Sequence, residues 1–152
     1  MIYQINKTIK LKMNMDQAWS FFSNPNNLKI ITPPSLNMLI TSQQQDKMYP
    51  GMIINYKVHP ILGIPLPWVT EITQVIENKY FVDEQRFGPY RMWHHQHLFK
   101  EIPGGVEAQD IVDYIMPFGP LGSLVHALFV SRQLNQIFEY RSKVLSEKFG
   151  LL

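Results

Sequence analysis

Apolar and polar side chains alternate over the first thirteen residues. Tyr3, Ile5, Ile9, Leu11 and Met13 fall on one face, and Gln4, Asn6, Thr8, Lys10 and Lys12 on the other. A period of two marks a strand with one buried face. Lys7 interrupts the apolar side, which points to a position near a sheet edge. The pattern then becomes helical. Asn14 is placed to cap the orphan amides of a helix running through Ala18, Trp19 and Phe22, with Gln17 completing a capping-box variant. Asn24-Pro25 repeats the start signal, and this second helix must end before Pro33-Pro34, because a residue preceding proline is driven out of the α region.

From Leu36 to Met116 the pattern predicts successive strands at about 36–42, 51–58, 68–76, 80–87, 91–100 and 106–116, punctuated by Gly, Pro and Asn at hairpin spacing. The stretch "HPILGIPLPW" (residues 59–68) reads instead as an apolar loop, either the mouth or lid of a cavity or a segment tucked against the sheet edge before Trp68 starts a strand. The tail from Leu121 to Phe149 is helical, with a stripe that changes phase. Leu121, Leu124, Val125 and Leu128 form one set; Val130, Leu134, Ile137, Phe138, Arg141 and Leu145 form another. A kink near 129–133, or a short turn before a long helix, would reconcile the two, and Gly150 supplies a stop.

Strand, two short helices, six strands and a long helix describe an α+β chain. An antiparallel sheet of seven strands needs cover on one face, and only the terminal helix is long enough to give it. A curved sheet closed over one helix encloses a cavity.

Composition narrows the possibilities. A chain of 152 residues suits one domain, residues 1–152, and its formal charge of +2 is spread without a basic face, so no nucleic-acid partner is expected. The absence of cysteine excludes disulfides, thiolate metal sites and cysteine nucleophiles. No apolar run reaches the ~20 residues that span a bilayer, and no signal peptide is evident, so integral membrane association is not expected and the cytoplasm is the default location. The pattern sets no oligomeric state.

The chemistry concentrates in Gly88 to Phe99, "GPYRMWHHQHLF". Its odd positions, including Trp93, His95, His97 and Phe99, form the more aromatic and hence inward face. In the following strand the inward residues are Val106, Ala108, Asp110, Val112, Tyr114 and Met116. A turn around Pro103-Gly104 then pairs Lys100 with Glu107 and His94 with Asp113 outside, and His97 with Asp110 and Trp93 with Tyr114 inside. A turn at Asn78-Lys79 would place Glu71 opposite Arg86 outside, with Gln74 opposite Asp83 and Ile72 opposite Gln85 inside. Buried polar groups cost about 1–3 kcal/mol each when unsatisfied. So many inward ones imply a hydrogen-bonded network, water or a polar ligand.

Two imidazoles on one strand face are also how a metal is held, with Asp110 or His59 as a further ligand. Zinc needs three or four converging ligands, and no other histidine has informative spacing, so no metal and no other cofactor is expected. A His97–Asp110 pair suits general-base chemistry, but neither Ser123 nor Ser131 has the setting of a nucleophile. Catalysis is left open. Arg141 interrupts an apolar stripe. It either pairs an interior aspartate or a ligand acid, or packs its stem and sends its head to solvent.

The segments "WSFFSNPNNLKIITPP", "FVDEQRFGPYRMWHHQHLF", "DIVDYIMPFGPLG" and "IFEYRSKVL", in this order of elements, resemble a ligand-binding branch of the SRPBCC or START-like superfamily, which includes Bet v 1-type and polyketide-cyclase-like domains. The resemblance spans nearly the whole chain, and GPY-x-x-W-x-H-x-H is its most specific part. It implies a helix-grip fold, a curved seven-stranded antiparallel sheet wrapped around a long C-terminal helix, with a deep hydrophobic or amphipathic cavity. By position, Asp83, Gln85, Trp93, His95, His97, Asp110, Tyr114 and Arg141 match polar or aromatic positions of that branch. The expected function is binding of a small hydrophobic or amphipathic molecule, its polar end held by His95, His97, Asp110 and Tyr114, its body packed by Trp93, Phe81, Phe138 and Met116. The alternatives are a cyclase- or aromatase-like enzyme with His97–Asp110 as base, and a module that binds a protein partner through "HPILGIPLPW".

Overall fold

The computed structural model describes residues 1–42, 45–61 and 63–152. The N-terminal alternation forms β1 (Tyr3–Leu11), with Ile5 and Leu11 buried and Gln4, Asn6 and Thr8 exposed. The capping box is present in full at helix α1 (Met15–Phe22): the Gln17 amide donates to Asn14 Oδ1 at 2.9 Å, and the Asn14 amide donates to Gln17 Oε1 at 3.0 Å. Asn24 caps Pro25–Lys29 by accepting the Asn26 amide on its side chain, but that segment is a 3₁₀ turn and not an α-helix. A second 3₁₀ turn, Pro34–Leu36, absorbs the start of the strand expected at 36–42 and leaves only the two-residue β2 (Leu39–Ile40).

Strands β3 (Ile53–Ile61), β4 (Ile64–Ile76), β5 (Tyr80–Phe87), β6 (Met92–Ile102) and β7 (Gly105–Ile115) complete an antiparallel sheet in the order β1-β7-β6-β5-β4-β3-β2. β1 is an edge, as Lys7 implied.

The "HPILGIPLPW" segment corrects the sequence reading. It is not a loop but the far end of the β3–β4 hairpin; Leu62 alone lies outside the described residues. The reason lies in the backbone. The amide and carbonyl of Asn55 point at Ser42 and Thr41, away from β4. Asn55↔Val69, and two residues on Lys57↔Pro67, are therefore pairs without hydrogen bonds between them. The nitrogens of Pro67 and, by the same parity, Pro65 face the side where β5 is absent, since β4–β5 pairing begins only at Val69. Proline is tolerated at such an edge.

The β4–β5 register also differs. The turn holds three residues, Glu77 to Lys79, with Asn78 at φ 61°, and a bulge falls between Ile72 and Gln74. Ile72 consequently meets Asp83, Thr70 meets Gln85, and Gln74 faces solvent. Arg86 still bonds Glu71, now from a diagonal position, and also reaches Glu84. The β6–β7 hairpin matches the expected register at every predicted pair, and Gly104 takes φ 85° at its turn.

The C-terminal segment is a helix without a break: α2 (Gly119–Val125), one π-helical turn (His126–Val130) and α3 (Ser131–Phe149). In place of the kink or short turn expected near 129–133, this π turn at 126–130 changes the phase of the stripe, with one extra residue per turn. Leu134, Phe138, Arg141 and Leu145 are buried against the sheet. Of the first apolar set only Val125 packs inward; Leu121, Leu124 and Leu128 are 56–63% exposed, with Phe118 and Phe129 beside them. At Gly150 (φ 77°) the helix stops, and Leu151 bridges to Leu11. Among the described residues no helix is long and apolar enough to cross a membrane.

Candidate functional site

Sheet and helix enclose a cavity of about 410 Å³, within the size range of small-molecule sites. Its wall is mostly apolar, from Ile54, Val58, Ile72 and Phe81 on the sheet to Leu134 and Phe138 on α3. One cluster of charged and ionisable groups interrupts it.

The cluster follows from strand period and register. Alternation along β6 buries Trp93, His95, His97 and Phe99 on one side. Pairing sets His95 opposite Asp83 on β5 and His97 opposite Asp110 on β7. Helical spacing on α3 brings Arg141 over them, below Phe138. Asp110 Oδ1 accepts from Arg141 Nη1 at 2.8 Å, from His95 Nε2 at 2.9 Å and lies 3.0 Å from His97 Nδ1. Asp83 Oδ2 lies 2.7 Å from His97 Nε2 and 3.5 Å from His95 Nδ1. The two imidazoles are tilted 35° to each other with centroids 3.7 Å apart, and Phe81 stacks on His97 at 4.1 Å.

No protein-family model and no curated protein matches the sequence. Solved structures match along nearly its whole length. A START superfamily protein from Mycobacterium smegmatis aligns with TM-score 0.70 over 96% of this chain and 96% of its own, at 15% identity. Ara h 8.0201, a Bet v 1 allergen, aligns with TM-score 0.64 over 96% and 99%, at 14% identity. A Thermus thermophilus protein aligns with TM-score 0.67 over 96% of each chain, again at 14% identity. The chain has the START-like helix-grip fold.

Within this helix-grip frame the cluster is electrically self-contained. Burial pushes the His97 imidazole down, but carboxylates at both ring nitrogens outweigh it and hold its pKa above the ordinary value. Burial and the neighbouring His97 together lower that of His95. Burial raises Asp110, yet Arg141 and the two imidazoles bring its carboxyl well below the usual range. Asp83 moves the same way, with His95 and His97 outweighing burial. The same surroundings thus favour a proton on His97 over one on His95, and keep both carboxyl groups ionised.

Asp83, Trp93, His95, His97, Phe138 and Arg141 line the cavity, as do Phe81 and Met116. Asp110 stands behind the histidines. Two expected contacts differ. Gln85 clamps the turn before β6, donating from Nε2 to the Tyr90 carbonyl at 2.7 Å and accepting the Tyr90 amide at 3.2 Å. Tyr114 is buried with its hydroxyl 2.7 Å from His126 Nε2, under a Tyr3 ring stacked on that histidine at 3.6 Å. Neither is part of the cavity wall.

Sequence reasoning missed the hydroxyl pair in the wall, Tyr56 and Thr70, 2.6 Å apart. It missed Trp68 and Tyr90 as wall residues as well. The alternation of Ile54, Tyr56 and Val58 was the available signal for Tyr56. Trp68 was obscured by the prolines around it.

Proposed function

We propose that the helix-grip cavity binds a small, largely apolar molecule with one polar end seated at Asp83, His95, His97 and Arg141. The observation that carries this reading is the contrast within one enclosure: an apolar wall with its charged groups gathered at a single place. The apolar body supplies affinity. Burying about 300 Å² of it gains roughly 7 kcal/mol at about 25 cal/mol per Å², before the cost of lost freedom. The polar cluster supplies orientation. It selects a group that replaces the hydrogen bonds it displaces, because an unsatisfied buried donor or acceptor is penalised.

The test uses the purified protein and the amphipathic fluorophore anilinonaphthalene sulfonate, an aromatic body with one anionic end. One molecule should bind per chain and quench tryptophan emission, since Trp68 and Trp93 line the cavity. Met38→Trp, which places a large ring in the wall, should abolish binding while the fold is retained by circular dichroism. Equal binding to wild type and Met38→Trp, or none to folded wild type, rejects the reading. Native mass spectrometry followed by solvent extraction then names any molecule that co-purifies.

A further inference from the structure

We propose that Asp83, His95 and His97 form a divalent transition-metal site in the cavity wall, supported from behind by Asp110 and Arg141. The site goes beyond the binding reading and stands independently of it.

The donors converge. One ligand atom from each of Asp83, His95 and His97 lies within 4.8 Å of the other two, and both histidines are buried, at 5% and 7% exposure. The orientation of the rings is more telling. His95 Nε2 and His97 Nδ1 are both anchored on one oxygen, Asp110 Oδ1, which Arg141 Nη1 holds in turn at 2.8 Å. That leaves His95 Nδ1 and His97 Nε2, the opposite nitrogens, facing a single oxygen of Asp83. Metal-binding histidines are held in this manner, with the outer nitrogen donating to a carboxylate that fixes tautomer and ring plane.

The distances suit a metal. Bonds of about 2.1 Å place neighbouring ligand atoms roughly 3.0 Å apart at right angles and roughly 3.4 Å apart in a tetrahedron. The observed 2.7 Å and 3.5 Å fall on either side of these values. Two imidazoles and one carboxylate with open positions suit zinc, cobalt, nickel or ferrous iron. The open positions face the cavity.

Charge also specifies the next ligand. Two carboxylates, one guanidinium and a dication leave one net positive charge when both imidazoles are neutral. A buried excess of that kind calls for an anionic oxygen donor, either hydroxide or the oxyanion of a molecule in the cavity. The other histidines are engaged elsewhere: His94 with Glu84, His59 with the Asn37 carbonyl and His126 with Tyr114.

The test is titration of tag-free protein, stripped with chelator, with Co²⁺ followed by visible absorption and with Zn²⁺ followed by calorimetry. One equivalent should bind, with a ligand-field band for Co²⁺. Asp83→Asn and His95→Gln should each weaken binding by about 100-fold or more, and Asp110→Asn by about 10- to 100-fold. His94→Ala should leave affinity unchanged. Asp83→Glu keeps the charge but moves the donor by one methylene, so a changed Co²⁺ spectrum assigns this ligand even if Asp83→Asn proves unstable. No stoichiometric binding of either ion to the folded wild type overturns the proposal. So does binding that survives both ligand substitutions, or that disappears with His94→Ala.

Discussion

Replacing Arg141 by methionine separates the two roles its sequence position allowed. Its head is in the interior: the residue is 7% exposed, and Nη1 lies 2.8 Å from Asp110 Oδ1. The gross attraction at that distance is about 6 kcal/mol for an effective dielectric near 20, most of it cancelled by desolvation of both groups. Breaking a buried pair from one side costs about 3–5 kcal/mol. Two features reduce the figure here. Asp110 keeps its imidazole donors, and Arg141 Nε has no partner among the described residues, so part of the desolvation cost vanishes with it. A loss of about 2–4 kcal/mol is expected, or roughly 6–12 °C in Tm for a chain of this size. Urea and thermal melts measure it, with near-ultraviolet circular dichroism as a check on packing. The cycle with Asp110→Asn should show coupling of about 0.5–3 kcal/mol, the double variant costing less than the sum. A single-variant loss under about 1 kcal/mol, or strict additivity, would mean that the stem contributes by packing and the ion pair by nothing.

Gly122→Ala tests the start of the terminal helix. An added Cβ would sit 1.8 Å from the Pro117 carbonyl oxygen, a backbone atom that cannot turn aside. A loss of at least about 2 kcal/mol is expected by calorimetry, and an unchanged Tm would show that the Pro117–Gly122 approach is wrong. His126 gives a pH dependence. Burial lowers its pKa below the ordinary 6.5, so the folded state binds fewer protons than the unfolded chain, and the stabilising difference, full above 6.5, is lost as pH falls through the folded value. Urea melts at pH 7.5 and 5.5 should show a larger acid loss for wild type than for His126→Phe. Equal losses would remove His126 from the account.

Much of the fold was legible because period-two patterns fix a register wherever one face is buried. The β6–β7 hairpin has buried residues on one face along its length, and a slip of one residue would have exposed all of them. The β4–β5 hairpin was not legible, since Asn78 serves either a two- or a three-residue turn, and a bulge leaves no mark in a half-polar strand. At the site, pairing His97 with Asp110 was correct but incomplete. Asp110 also holds His95, two residues along β6, a diagonal contact set by side-chain length and by Arg141 arriving from α3. Alternation alone could not place Tyr114 or Gln85. Both have the expected parity, but Tyr114 hydrogen-bonds to His126 and Gln85 to the Tyr90 backbone, so neither reaches the cavity.

The two apolar sets of the terminal segment need two different helical phases, and the π turn supplies both. On α3 the buried positions run Leu134, Phe138, Arg141 and Leu145, the three-and-four spacing of an α-helix on a sheet. Continued backwards without interruption, that spacing would pass from Val130 to positions 126 and 127. The structure instead passes from Val130 to Val125, five residues, the interval of a π turn, and then to Gly122 and Leu121, all of which line the cavity. The extra residue also aims His126 at Tyr114 and Tyr3. It sends Leu124, Leu128 and Phe129 to solvent. The exposed leucines are the geometric consequence of that turn.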